Sequence, residues 1–397
     1  MAFRRMFLLA QLVLVLNMGH LLGLANANPV EKLFLILAGL VFTLTRKRIP
    51  ANLVLMGFII LVSFVCGLLS EFDAFSWNRY ARSLVSLIAF LLFFTAFPEQ
   101  RDREFILLIA ALIPPVSVLL GTIYEAMGIS YLWMTDYLGT RRLAGNMGPA
   151  FLGGAGVTGA VAASYLALQQ RSRYLLLALV NAGITMLTAS RMPSALALGV
   201  TGAMLFMESR SAVFRILMVL YGCVVVAGLF YLMGDQLMTR VSSEAMSGRD
   251  IIWNELKAYV HRFPYFGVGL GHQMDILSAR TSTTTHTVAA HNEYLRFTVE
   301  VGYVGSLLMG CAFIAMLVNL LRDPLVTKKW AFLMVAAAFF VYSSTDNTFS
   351  VPQIFMALVV AFFGSCDRRE PVPPSPESYS PQPFRTAEPA LDPPHRV

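Results

Sequence analysis

The side chains best suited to chemistry in this chain lie in one polar stretch, residues 263–305, FPYFGVGLGHQMDILSARTSTTTHTVAAHNEYLRFTVEVGYVG. It holds His286 and His291, and Glu293, Tyr294 and Arg296 follow before hydrophobicity resumes. Histidine accepts a proton near neutral pH more readily than any other side chain, so His291 is the candidate general base. On a helix His291 shares a face with Tyr294 and Leu295. In an extended turn Glu293 returns to its side instead, and Glu293 and Tyr294 are therefore candidate supporting residues. A helix-capping histidine at a membrane interface is the bland alternative. The spacing of five between His286 and His291 does not suit one helix face, and no cysteine or third ligand is close, so the sequence gives no metal site. The run Gly267-Val268-Gly269-Leu270-Gly271 does not match GxGxxG and is followed by no Lys-Ser/Thr pair, which makes it a tight turn rather than a nucleotide loop.

Arginine is the natural partner of a phosphate, being always charged and able to make paired hydrogen bonds. Three places qualify. Arg141 and Arg142 open LGTRRLAGNMGPAFLGG, whose glycines Gly145, Gly148, Gly153, Gly154 and Gly156 permit close approach by a ligand or by a neighbouring helix; headgroup contact is the alternative role for the pair. Arg191, in LTASRMPSALA, sits between two apolar runs with almost no loop, a costly place without a partner unless the side chain snorkels. Arg249, in SSEAMSGRDIIWNELKAYVHRFPYF, falls in the first turn of a helix that begins near Ser247 or Gly248 and is stopped by Pro264 and Gly267. Ile251, Ile252, Leu256, Tyr259 and Val260 give that helix an apolar side, as for a helix lying on a membrane surface. Its N-terminus and Arg249 together suit an anion; a surface pair with Asp250 or Glu244 is the alternative.

Something must hold these residues in place, and composition says what. Of the 397 residues 57% are hydrophobic and 13% charged, about half the charge of a soluble domain. Apolar runs fall near residues 31–45, 51–70, 82–97, 105–125, 149–168, 174–190, 193–207, 214–233, 297–321, 330–344 and 351–364. With one at the N-terminus they predict an all-α polytopic membrane protein of about twelve spans. Its domain would cover residues 1–364, with an outward catalytic loop at 234–296. Alternate connections carry Arg4/Arg5, Arg46-Lys47-Arg48, Arg101/Arg103, Arg171/Arg173, Arg210/Arg215, Arg322/Lys328/Lys329 and Arg368/Arg369. By the positive-inside rule this set, and both termini, are expected in the cytoplasm, and Arg142, Arg191, Arg249 and His291 on the other side. The N-terminus has the make-up of a signal peptide, but its long run, interrupted by Asn17 and His20, reads as a retained first span. Residues 365–397, rich in Pro, Ser and Glu from 370 on, read as a disordered tail. The cysteines Cys66, Cys223, Cys311 and Cys366 lack the spacing of a metal or redox pair.

LTASR, GRDIIWNEL, PYFGVGLG and AHNEYLRFTVEVGYVG together resemble the bacterial O-antigen ligase and O-antigen polymerase family. RLAGNMGPAFLGG resembles that family's Arg/Gly segment, with Met147-Gly148-Pro149 where an Asn-Pro pair is usual. The resemblance implies a C-type glycosyltransferase-like enzyme of the inner membrane with a periplasmic site. It implies a donor glycan on undecaprenyl diphosphate, an acceptor that is lipid A–core or a second lipid-linked unit, and direct displacement with inversion, without metal or other cofactor. His291 would then be the base, and Arg142, Arg191 and Arg249, supported by Arg141, would bind the diphosphate. A flippase or other transporter is the competing class, and a non-catalytic sensor or scaffold a third. A transporter places ionisable groups within its spans, and of the groups in these runs only Glu300 lies any way inside one. The motifs do not separate ligase from polymerase.

Overall fold

The computed structural model describes residues 2–16, 28–136, 139–169, 173–209, 249–285 and 287–366, with scattered positions between 211 and 223. His286, most of the 214–233 run, residues 234–248 and the tail from 367 lie outside the described residues. The described residues are 74% helix with few strands. Among the described residues the helices include α1 (Ala2–Val15), α2 (Asn28–Thr45), α3 (Pro50–Leu68), α4 (Trp77–Leu91), α5 (Gln100–Ala126), α6 (Pro149–Leu168), α7 (Arg173–Leu187), α8 (Arg191–Glu208), α9 (Arg249–Arg262), α10 (Ala279–Thr285), α11 (Glu293–Arg322), α12 (Lys329–Ser343) and α13 (Pro352–Ser365). Two antiparallel hairpins pair β1 (Lys47–Arg48) with β2 (Ala96–Phe97), and β3 (Trp133–Thr135) with β4 (Arg141–Leu143).

Among the described residues four helices, α3, α5, α6 and α11, are long and apolar enough to cross a membrane, and 32–45, α7, α12 and α13 are shorter apolar helices. That supports the all-α membrane class without establishing twelve spans. One reason is visible at residues 82–97, expected as a single span: α4 starts earlier, at Trp77, and gives way to a 3-10 turn (Leu92–Phe94) and to β2.

The centre of the bundle is aromatic. Phe3 of α1 packs on Phe42 of α2 at 4.8 Å between ring centroids, and Phe42 on Phe363 of α13 at 5.2 Å. Close packing of this kind, more than water exclusion, holds helices together in lipid. The glycines of α6 serve the same end. A side chain at Gly153 would meet Ser190 and Thr188 at 3.2 Å, and one at Gly159 would meet Asn181 at 2.6 Å. The choice left open by the sequence thus falls to helix packing along this stripe. Asn181 is buried and bonds the carbonyl of Ala111 at 2.9 Å. Ala111 is four residues before Pro115, which has no N–H to satisfy that carbonyl, so α7 repairs the break that proline makes in α5.

These contacts also set direction. Thr158 reaches the carbonyl of Gln353 (2.9 Å) and Tyr165 the hydroxyl of Ser365 (2.8 Å), so α6 and α13 run parallel, while Thr188 and Asn181 opposite Gly153 and Gly159 make α7 antiparallel to them. The segments 141–148, 188–191 and 344–351 therefore share one end of the bundle, with the start of α11 beside them. At the other end Arg46 pairs with Asp102 at 2.5 Å and with Glu99 at 3.1 Å, Arg4 lies 3.5 Å from Asp102, and Arg103 bonds the carbonyl of Cys366. Ser365 and Cys366, counted with the tail from sequence, are buried parts of the bundle.

Candidate active site at one end of the bundle

The Gly run is where the polar stretch is fastened. Gly302 has φ 67 and ψ −178, which breaks the helical path within α11. The amide of Tyr303 then bonds Pro264 instead of Val299, at 2.8 Å, and the freed carbonyls of Val299 and Glu300 accept from Val268 (2.9 Å) and Gly269 (2.8 Å). Gly267, at φ +71, lies so close that a side chain there would meet the Val299 carbonyl at 2.5 Å. The run is a turn docked on a broken helix. His272, which sequence reading passed over, locks it further: the buried ring stacks on Phe75 at 4.8 Å and its Nε2 accepts from the Ser76 amide at 2.7 Å.

His291 stands just outside α11, one residue before the N-cap Asn292, whose side chain accepts from Leu295 N at 3.1 Å. It is neither helical nor extended but left-handed, with φ 46, a conformation that costs about 1–2 kcal/mol for a residue with a Cβ. Its Nδ1 faces Asp346 Oδ1 at 3.3 Å, and both side chains are partly exposed. Arg249 is the first described residue of α9, and its Nη1 donates to the carbonyl of Thr345, next to Asp346, at 3.3 Å. The turn between α12 and α13 thus gathers Arg249, His291 and Asp346. Asp346 was missed because it is 55 residues from His291 in a short polar loop with no motif of its own.

Arg142 pairs across the hairpin with Met134, and its guanidinium donates to the Thr188 carbonyl (2.8 Å) and the Ser190 hydroxyl (2.9 Å). Burial lowers its pKa and the charge of Asp136 opposes that shift. Arg142 is therefore tied to the LTASR junction, where Ala189 is strained at φ 52 and Arg191 begins α8, exposed. Ala189 and His291 are the two non-glycine residues with positive φ among the described residues, one in each group. Arg141 points to the opposite face of the hairpin, over the Trp133 ring at 4.9 Å.

Glu293 is occupied elsewhere. It is buried against Arg296, which bonds both of its carboxylate oxygens and also reaches Glu300 Oε2 at 2.9 Å. A buried lone charge costs several kcal/mol, and this triad offsets it with paired geometry. Tyr294 is half-exposed and donates to the Phe340 carbonyl at 2.8 Å. On α9 the inward residues are Ile252, Leu256 and Val260, whereas Ile251, expected on that side, is 42% exposed.

Below Tyr294 and Glu293 an apolar cavity of about 380 Å³ runs between α3, α4, α11 and α12, lined by Leu91, Phe297, Met309, Phe313 and Phe340 among others. Gly310 is exposed in its wall with open space where a side chain would project.

Fold and site together describe a helical protein with membrane-capable spans and a basic, histidine-bearing site at one end. Residues 175–310 match the family model described as O-Antigen ligase, so this segment is similar to that family. The match takes in the LTASR junction, α9, the Gly run and the AHNEYL block; Arg142 and Asp346 lie outside it. No curated protein matches the chain.

Proposed function

We propose that this protein is a glycosyltransferase of the bacterial inner membrane that moves a glycan from undecaprenyl diphosphate to an acceptor hydroxyl, as in O-antigen ligation to lipid A–core. The observation that carries the reading is the gathering of Arg249, His291 and Asp346 on one turn, at the same end as Arg142 and Arg191. In this mechanism His291 Nε2 takes the proton of the acceptor hydroxyl, and Asp346 at Nδ1 orients the ring and stabilises the imidazolium. The acceptor oxygen attacks the anomeric carbon as the bond to the diphosphate oxygen breaks, inverting the centre. Negative charge grows on the departing diphosphate, where Arg142, Arg191 and Arg249 oppose it; a preplaced donor of this kind is worth about 10²–10³ in rate. These cations do the work of charge neutralisation, and no metal takes part. The cavity beside α11 suits the start of the hydrocarbon tail, because it is apolar and leads away from the site at membrane depth.

Orientation belongs to the same reading. Arg4, Arg46 and Arg103 gather at the end opposite His291, which by the positive-inside rule supports a periplasmic site. Residues 234–248 and His286, part of the expected catalytic loop, fall outside the described residues. The test is to give purified protein the lipid-linked donor with and without lipid A–core, in EDTA. One glycan on the core supports a ligase. A ladder from donor alone makes it a polymerase, and no transfer in either case overturns the reading.

A further inference from the structure

The left-handed backbone at His291 has identifiable supports on both sides. The φ of His291 turns on the peptide plane that precedes it, and that plane carries the carbonyl of Ala290. This carbonyl accepts from Trp253 Nε1 at 2.8 Å. The Ala290 amide donates to Gln273 Oε1 at 3.3 Å, and the same Gln273 side chain donates to the Val288 carbonyl at 2.8 Å. Ala290 and Gln273 are both buried, so water cannot replace these bonds. Gln273 is itself anchored, since its backbone and that of Gly271 bond the buried carboxylate of Glu300. After His291 the Asn292 cap fixes the start of α11. The clamp thus comes from α9, from the turn after the Gly run, and from α11.

We infer that Trp253 and Gln273 are positioning residues that hold His291 in its left-handed conformation and so aim the ring between Asp346 and the acceptor. Neither touches reacting atoms. Trp253 spends its one polar hydrogen on a main-chain carbonyl, which the apolar face of α9 does not require. The transfer arm of the test rests on the proposed function; the second arm does not.

Trp253→Phe keeps the ring and removes the N–H, and Gln273→Met keeps the length and removes both bonds. Each is expected to lower kcat at least tenfold, with the KM for the lipid-linked donor within twofold of wild type. In the second arm the proteins are treated with diethylpyrocarbonate and modification is followed by peptide mass spectrometry. A freed His291 should react several-fold faster than in wild type, with exposed His261 unchanged. Wild-type kcat and wild-type His291 reactivity in either folded variant would overturn the inference. So would equal acceleration at His261, which marks general loosening. If wild type transfers no glycan, the proposed reaction fails, and His291 reactivity alone decides the clamp.

Discussion

The two ends of the bundle handle charge in opposite ways. At one end Asp102, fully buried, stands between Arg4 and Arg46, with Glu99 on Arg46 as well. At the other, Arg142 is held by a carbonyl and a hydroxyl, and Arg249 by a carbonyl. A neutral oxygen fixes a guanidinium in place without cancelling its charge, so an anionic ligand still gains by approaching. Opposite charges in contact satisfy each other and fasten helices. The contrast repeats within the site end, where Arg296 bonds two buried carboxylates while the hydrogen bonds of Arg142 and Arg249 among the described residues go to neutral oxygens, with Asp136 acting on Arg142 by charge. One end is built to close; the other is built to receive.

The sharpest way to break this comparison is His291→Ala. Transfer should fall at least about 100-fold, the scale of a general base, with the protein still in the membrane; near-normal transfer in a lipid-linked donor assay would remove His291 from the chemistry. Next come Arg249→Ala, Arg142→Ala and Arg191→Ala, each expected to cost about 100-fold in kcat/KM. Lysine should rescue Arg142 poorly, because two separate donors meet Thr188 and Ser190. Full activity of any alanine variant strikes that arginine from the site. A smaller effect is expected of Gly310→Leu, which adds a side chain at the cavity lining where nothing lies within 4 Å. KM should rise several-fold for long polyprenyl donors and stay level for a short-chain analogue; equal effects on both would show that the tail lies elsewhere. The smallest effect on turnover belongs to the closed end. Asp102→Ala should cost about 3 kcal/mol of stability by stripping a buried ion cluster, seen as an earlier thermal transition in detergent, while turnover per folded molecule stays within twofold.

Much of the site end was legible because its signals are local. Arg249 does lie in a helix, one that Pro264 and Gly267 follow and whose buried residues recur at helical spacing. The Gly run is a turn, as its departure from a phosphate-loop pattern indicated. LTASR, GRDIIWNEL, PYFGVGLG and AHNEYLRFTVEVGYVG lie within the span that matches the O-antigen ligase family model, whereas RLAGNMGPAFLGG lies outside it. Ile251 shows the limit: it is hydrophobic and near the apolar side, yet it points outward, because residues one apart on a helix differ by about 100°.

Sequence by itself determined the class of the protein, since apolar runs of bilayer length and one-sided basic loops follow from composition alone. It also determined which residue types were available for proton transfer and for binding an anion, and it singled out His291, Arg249, Arg191 and Arg142. Only the tertiary structure decided their company. Asp346 reaches His291 through the packing of α11 against α12 and against Phe349 of the turn that follows it, a relation that no local spacing encodes. Glu293 lies two residues from His291 yet turns away to Arg296, because a buried guanidinium needs carboxylates more than the site does. Histidine has no intrinsic preference for a left-handed backbone strong enough to be read from its neighbours. That conformation depends on Trp253 and Gln273, which come from α9 and from the turn after the Gly run, and on the Asn292 cap of α11.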